Sequence, residues 1–187
     1  MSTRITGGSD RGRRLRSAKG AGLRPTSRRV RAAIFSIVGQ AAVEGVRVLD
    51  LYAGTGALGI EALSRGASWT DFVEVNAGRC NDIRSSLREM GMAERSRVYR
   101  ARVERVLDTV DGGYGLVLID PPYDLDPWTH LMPRLDSERL LASGAHVIAE
   151  HSYKQQLDAR YGGLDCVTTR RHGDTSISIY RAGATVG

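Results

Sequence analysis

Cysteine is scarce in this chain, with two thiols, Cys80 and Cys166, in 187 residues. Two cysteines cannot build the disulfide framework of a small secreted domain. Neither lies in a C-x-x-C or Cys/His cluster of the kind that holds zinc, so no metal site is expected. Both read as small buried hydrophobes in a protein of the reducing cytoplasm. No apolar run approaches the ~20 residues that a membrane-spanning helix needs. No apolar segment follows the N-terminal charges, which argues against a secretory signal. Internal repeats and long low-complexity tracts are missing as well. What remains, 41% hydrophobic and 26% charged, is the composition of an ordinary globular protein. The length suits one α/β domain with a small appendage.

Acid is nearly missing from one place. The first 31 residues contain Asp10 and ten basic side chains: Arg4, Arg11, Arg13, Arg14, Arg16, Lys19, Arg24, Arg28, Arg29 and Arg31. The rest of the chain is mildly acidic although the net charge is +6. A basic arm on an acidic body is a footprint for a polyanion, and arginine favours bidentate phosphate contacts. These ten residues are therefore the candidate contacts for that polyanion. A transit peptide or a solubilising tail would share the composition.

Along the chain, residues 4–7 and 13–16 suggest a β-hairpin, and Gly20-Ala21-Gly22 a joint. The expected division is a basic extension over residues 1–22 and a main domain over residues 23–187. Pro25 with Thr26 or Ser27 as N-cap predicts a helix carrying Val30, Ile34, Ile37 and Val38 on one face. Arg28, Arg29 and Arg31 sit in its first turn, where cations oppose the helix dipole, so an external anion would explain them. Strands are expected over residues 46–52, 69–75, 97–101, 116–120 and 145–150. Helices are expected over residues 57–65, 77–90, 103–110 and 128–141. Residues 165–171 and 175–181 read as a closing hairpin. This alternation predicts an α/β fold with a mostly parallel sheet, helices on both faces and an antiparallel terminal edge.

The first strand runs into Asp50-Leu51-Tyr52-Ala53-Gly54-Thr55-Gly56-Ala57-Leu58-Gly59. Glycines 54, 56 and 59 fit G-x-G-x-x-G between a strand and a helix, where backbone must approach a nucleotide-like ligand closely. Glu74 ends the next strand, where a doubly wound fold places a ribose-binding carboxylate. Asp50 beside the loop would repel a pyrophosphate and suit the cationic S-adenosylmethionine. Candidate cofactor contacts are Asp50, Tyr52, Ala53, Gly54, Thr55 and Gly56, then Glu74 and Val75, then Arg102 and Val103.

The fourth strand ends in Asp120-Pro121-Pro122-Tyr123. The apolar run places Asp120 at the strand's C-terminal edge, beside the cofactor crevice. Two prolines rigidify the backbone after Asp120, and Tyr123 offers a flat face for a base. An exocyclic amine is a poor nucleophile because its lone pair is conjugated with the ring. Asp120 and a backbone carbonyl, that of Pro121, could accept its two N–H groups and aim the lone pair at a methyl donor. Asp120 could then take the proton. Asp120, Pro121, Pro122 and Tyr123 are the candidate catalytic residues, with no metal required.

Together these motifs resemble the bacterial 16S ribosomal RNA guanine-N2 methyltransferases of the RsmD type. The resemblance spans Arg24-Pro25-Thr26, Arg29-Val30-Arg31, the Asp50–Gly59 loop, Phe72-Val73-Glu74, the D-P-P-Y tetrad and Gly173-Asp174-Thr175. It implies a seven-stranded Rossmann-like methyltransferase core with a small RNA-binding N-terminal hairpin. It also implies methylation of guanine N2 in the small ribosomal subunit, and the chain is expected to be a monomer. Such enzymes often carry an acidic residue near the adenine after the third strand, where this chain has Arg102. Alternatives that share motifs are a DNA adenine-N6 methyltransferase, an NAD-dependent dehydrogenase and a non-catalytic ribosomal RNA-binding assembly factor.

Overall fold

The structure is a computed structural model that describes residues 3–16, 27–136 and 139–183. The sequence expectations for Lys19, Arg24, Pro25 and Thr26, and for the boundary between residues 22 and 23, fall outside those residues.

Five parallel strands form the body: β1 (Arg47–Leu51), β2 (Trp69–Glu74), β3 (Ser96–Arg100), β4 (Tyr114–Ile119) and β5 (Leu141–Ser152). β1 and β4 are apolar runs rather than alternating ones because helices cover both faces. Three further strands, β6 (Arg160–Tyr161), β7 (Leu164–His172) and β8 (Thr175–Ala182), run antiparallel at one edge. The order across the sheet is β3-β2-β1-β4-β5-β8-β7-β6. The direction of winding reverses between β1 and β4, so their C-terminal ends open onto the crevice where such sheets bind ligands.

Helices α1 (Arg28–Val38), α2 (Ala57–Ser64) and α3 (Ala77–Glu89) pack on one face through Ile34, Ile60 and Ile83. Helices α4 (Val103–Leu107) and α5 (Trp128–Leu135) cover the other through Val106 and Leu131. Ser27 caps α1 by accepting from the Val30 N–H at 3.2 Å, as its sequence position predicts.

Residues 3–16 form a hairpin, closed by Ile5 N–H to Arg13 O and Leu15 N–H to Thr3 O. Ile5 and Leu15 are buried in the same core as α1 and α2. The hairpin is pinned to α2 by a fully buried carboxylate. Glu61 accepts from the Thr6 amide at 2.7 Å and the Thr6 hydroxyl at 2.6 Å, and pairs with Arg65 at 2.9 Å.

Three sequence expectations change in detail. The helix expected to reach residue 141 stops at Leu135, and β5 starts at Leu141 rather than 145, because Leu140 and Leu141 bury in the sheet core. The helix expected over 103–110 spans five residues, and the chain then turns through Gly112 and Gly113 at positive φ. The sheet has an eighth strand beyond the seven expected, the two-residue β6, which pairs with Leu164 and Asp165 at the edge.

Candidate active site

The loop after β1 is built by backbone geometry. Tyr52 sits at φ 59, a left-handed conformation unusual for a non-glycine residue and typical of functional turns. Gly56 continues at φ 72 and starts α2, and its N–H closes the turn on Ala53 O at 2.7 Å. Gly59 has a different reason. A Cβ there would lie 2.3 Å from the Phe72 ring and 2.9 Å from Asp50 Oδ2, so only glycine lets α2 approach β1 and β2 this closely.

Two carboxylates brace the loop. Asp50 Oδ2 accepts from the Gly59 N–H at 2.9 Å. Asp50 is 1% exposed, and burial pushes its carboxyl well above the usual carboxylate range. The Gly59 bond opposes that shift, while the nearby charges of Asp120 and Glu74 add to it. The sequence assigns Asp50 to a cationic ligand. In the structure its Oδ2 braces the loop from beneath, and the residue lines the crevice wall. Glu74 Oε2 accepts from the Gly54 N–H at 2.9 Å, and its Oε1 from the Asn76 N–H at 2.8 Å. Its position at the end of β2 is thereby set against the glycine turn.

Above this loop lies a cavity of about 860 Å³. Every candidate cofactor and catalytic residue lines it except Gly56, whose role is the α2 cap. Arg102 stands exposed at the N-terminus of α4, and Val103 is buried in its first turn. Tyr52 turns a buried hydroxyl toward this region, and Oη has no hydrogen-bond partner among the described residues. Burial, and then the charge of Glu104, push its phenol up to about 12. A neutral phenol without a partner is a donor waiting for an acceptor.

Asp120 follows the last residue of β4 and is half-buried. Pro121 is buried, while Pro122 and Tyr123 are exposed on the cavity wall. The Tyr123 hydroxyl lies 2.5 Å from Thr175 Oγ1 on β8, which fixes the ring at the cavity mouth. Sequence reasoning missed Ser27, Val30, Arg79, Glu150, His172 and Thr175 as wall residues. Gly173-Asp174-Thr175 is a signal on the chain, but its contact with Tyr123 is made over 52 positions.

The basic residues divide. Arg11 and Arg14 on the hairpin and Arg28 and Arg29 on α1 present exposed side chains. Arg13 and Arg16 are exposed but engaged, Arg13 with Asp10 at 2.6 Å and Arg16 with Glu89. Arg4 Nη1 donates to Gly12 O at 2.7 Å inside the hairpin. Arg31 is a correction to the sequence assignment. It is 2% exposed, and its Nη2 donates to Arg4 O at 2.7 Å, so it ties α1 to the hairpin and cannot face phosphate. Burial pushes its guanidinium below the ordinary value, with the charge of Glu61 opposing.

The family described as Conserved hypothetical protein 95 matches residues 3–181 of the chain that builds this site. The chain belongs to this family, the RsmD type. It is 33% identical over 181 residues to "Putative rRNA methyltransferase YlbH" of Bacillus subtilis, covering 95% of this chain and 98% of that one. It is 31% identical over 154 residues to "Ribosomal RNA small subunit methyltransferase D" of Escherichia coli, covering 82% of this chain and 77% of that one. Among solved structures, "Putative methyltransferase yhhF from Escherichia coli" superposes with a TM-score of 0.87 at 25% identity, covering 99% and 100% of the two chains.

Proposed function

We propose that this family member is an S-adenosylmethionine-dependent ribosomal RNA methyltransferase, and that its acceptor is the exocyclic N2 of a guanine in 16S ribosomal RNA of the small subunit. The observation that carries this reading is the placement of Asp120-Pro121-Pro122-Tyr123 on the wall of the cavity that the glycine loop and Glu74 also line. The names of the Escherichia coli and Bacillus subtilis relatives support the substrate class.

The donor set fits S-adenosylmethionine. The loop over residues 50–59 brings backbone to the crevice and has no basic side chain of its own, although Arg79 and Arg102 stand on the wall; Glu74 can take ribose hydroxyls, and the orphaned Tyr52 hydroxyl can donate to the ligand. Once bound, S-adenosylmethionine supplies an electrophilic methyl group on a sulfonium. The chain's own residues then do the positioning. Tyr123, held by Thr175, stacks on the base. Asp120 and the Pro121 carbonyl accept the two amine N–H groups and orient the lone pair. The nitrogen gains the methyl group and loses one proton, which Asp120 receives directly or through water. A guanine in helical RNA must leave its stack to reach this corner.

On this reading residues 1–22 serve as an RNA-binding extension of a catalytic domain over residues 23–187, with Arg11, Arg14, Arg28 and Arg29 as phosphate contacts. The protein works in the cytoplasm as a monomer. The test is methyl incorporation from labelled S-adenosylmethionine into three acceptors: unmethylated 16S transcript, undermethylated small subunits and duplex DNA. Incorporation into ribosomal RNA or its particles alone is expected. Transfer to duplex DNA instead would overturn the substrate assignment.

A further inference from the structure

The basic side chains that the sequence singles out as RNA contacts all precede residue 32. The structure shows a second cationic surface near the opposite end of the chain, beside the same cavity. Tyr153 follows β5 and is 37% exposed. The Arg171 guanidinium stacks over its ring, 3.9 Å from the centroid, and Lys154 Nζ lies 5.9 Å from the same centroid. Arg171 is held from a second direction as well, because its Nε donates to Gly173 O at 2.9 Å. Neither Nη group of Arg171 has an acceptor among the described residues.

This arrangement is joined to the active site. Tyr153 N–H donates to Asp174 O at 3.1 Å, tying it to the β7–β8 turn. That turn places His172 and Thr175 on the cavity wall, and Thr175 holds Tyr123. Arg171 on β7 and the segment carrying Tyr153 and Lys154 therefore meet at the turn that holds Tyr123. Both cations lie within 6 Å of the same ring. Arg171 has no acidic partner within ion-pair distance among the described residues, so the surface suits an incoming anion better than it suits the fold. An aromatic ring and a backbone carbonyl pre-order the guanidinium fork, which lowers the entropy lost on gripping a phosphodiester.

We propose that Tyr153, Lys154 and Arg171 form a backbone clamp for the RNA strand that flanks the target base, holding a phosphodiester next to Tyr123 while the base occupies the cavity. This inference rests on the RNA-methyltransferase reading above and extends it to a surface distinct from the N-terminal extension. The clamp acts on RNA binding and leaves the cofactor pocket untouched.

The test uses the full chain with Lys154→Ala, Arg171→Ala and the conservative Arg171→Lys. Unmethylated 16S transcript and undermethylated small subunits serve as probes. For the alanine variants KM for RNA is expected to rise about tenfold near 0.15 M salt, roughly what removal of one charge-assisted hydrogen bond gives, with kcat within twofold. The log–log salt dependence of transcript binding should flatten by about 0.7–0.9 per variant. Arg171→Lys should recover part of the loss, since the charge stays and the fork goes. S-adenosylmethionine affinity should not move. Variants that match a wild type active on RNA would overturn the clamp alone. Loss of cofactor affinity in step with RNA affinity would also overturn it, by showing a structural role for the turn. A loss confined to particles, with transcript binding unchanged, would overturn it too, by placing a ribosomal protein on this surface instead. A wild type that transfers no methyl group to either probe would remove the underlying reading and the clamp together.

Discussion

At the level of single residues, the proposed mechanism turns on Asp120 and Tyr123. On that proposal, removing the Asp120 carboxylate takes away both a lone-pair-orienting acceptor and the proton acceptor. Asp120→Ala should lower single-turnover methyl transfer by about 10²–10⁴-fold, while titration calorimetry finds S-adenosylmethionine affinity little changed. Near-normal turnover would remove the carboxylate from the mechanism. Tyr123 has two separable parts. In the proposed mechanism its ring stacks on the base, and in the structure its hydroxyl is committed to Thr175 at 2.5 Å. Tyr123→Ala should weaken RNA binding by about 1–3 kcal/mol, the usual range for one base–aromatic stack. Tyr123→Phe keeps the ring but frees it to turn, so it should fall between wild type and Tyr123→Ala, and so should Thr175→Val. Equal losses for Phe and Ala would show that the hydroxyl, not the ring, carries the contact. Gly59 is a residue whose importance is steric. Gly59→Ala must push aside Phe72 or Asp50, so thermal or denaturant unfolding should show at least the ~1–3 kcal/mol typical of overpacking.

Among the elements, the hairpin over residues 3–16 is a docked part of the core rather than a loose arm. Glu61 accounts for much of that docking. Glu61→Ala would leave the Thr6 amide, the Thr6 hydroxyl and Arg65 short of their acceptor. It should cost about 2–4 kcal/mol, with hydrogen exchange rising selectively in residues 5–15. Unchanged protection there would contradict the docking. A second feature at this level is His151 on β5. It is 3% exposed, and burial lowers its pKa below the ordinary 6.5 while its hydrogen bond to Ser152 O opposes the shift. A depressed pKa means the folded state binds fewer protons than the unfolded one. The stability tied to His151 is therefore full above about pH 6.5 and is lost as pH falls from there toward the lowered value. Denaturation midpoints between pH 7 and 5 should fall more steeply for the wild type than for His151→Gln. The long periodic segments and their order were legible in the sequence because an apolar strand and an amphipathic helix announce themselves by period. The start of β5 was not, since Leu140 and Leu141 continue the helical pattern of Leu131 and Leu135 and only sheet pairing with Tyr114 decides the matter. Two-residue β6 is too short to show any period.

For the molecule as a whole, the site was legible where its chemistry is contiguous in sequence, in the glycine loop and the D-P-P-Y corner. It was not legible where folding joins distant residues. Nothing in the sequence shows that Thr175 clamps Tyr123, or that Asp50 spends its carboxyl on Gly59. Arg31 looks like its neighbours Arg28 and Arg29, and only burial against the hairpin separates it from them. The resulting picture is a cavity at the sheet's switch point with exposed arginines on the N-terminal elements. Replacing Arg28 and Arg29 together with alanine should flatten the salt dependence of 16S transcript binding by about 0.7–0.9 for each phosphate no longer neutralised, with S-adenosylmethionine binding intact. The most direct test of the central claim is to map the product. Small subunits lacking the modification are incubated with the protein and S-adenosylmethionine, and the methylated nucleoside is located by mass spectrometry of 16S ribosomal RNA digests. The account predicts one N2-methylguanine, present with the wild type and missing with Asp120→Ala. A methyl group on any other atom, or its undiminished appearance with Asp120→Ala, would contradict it.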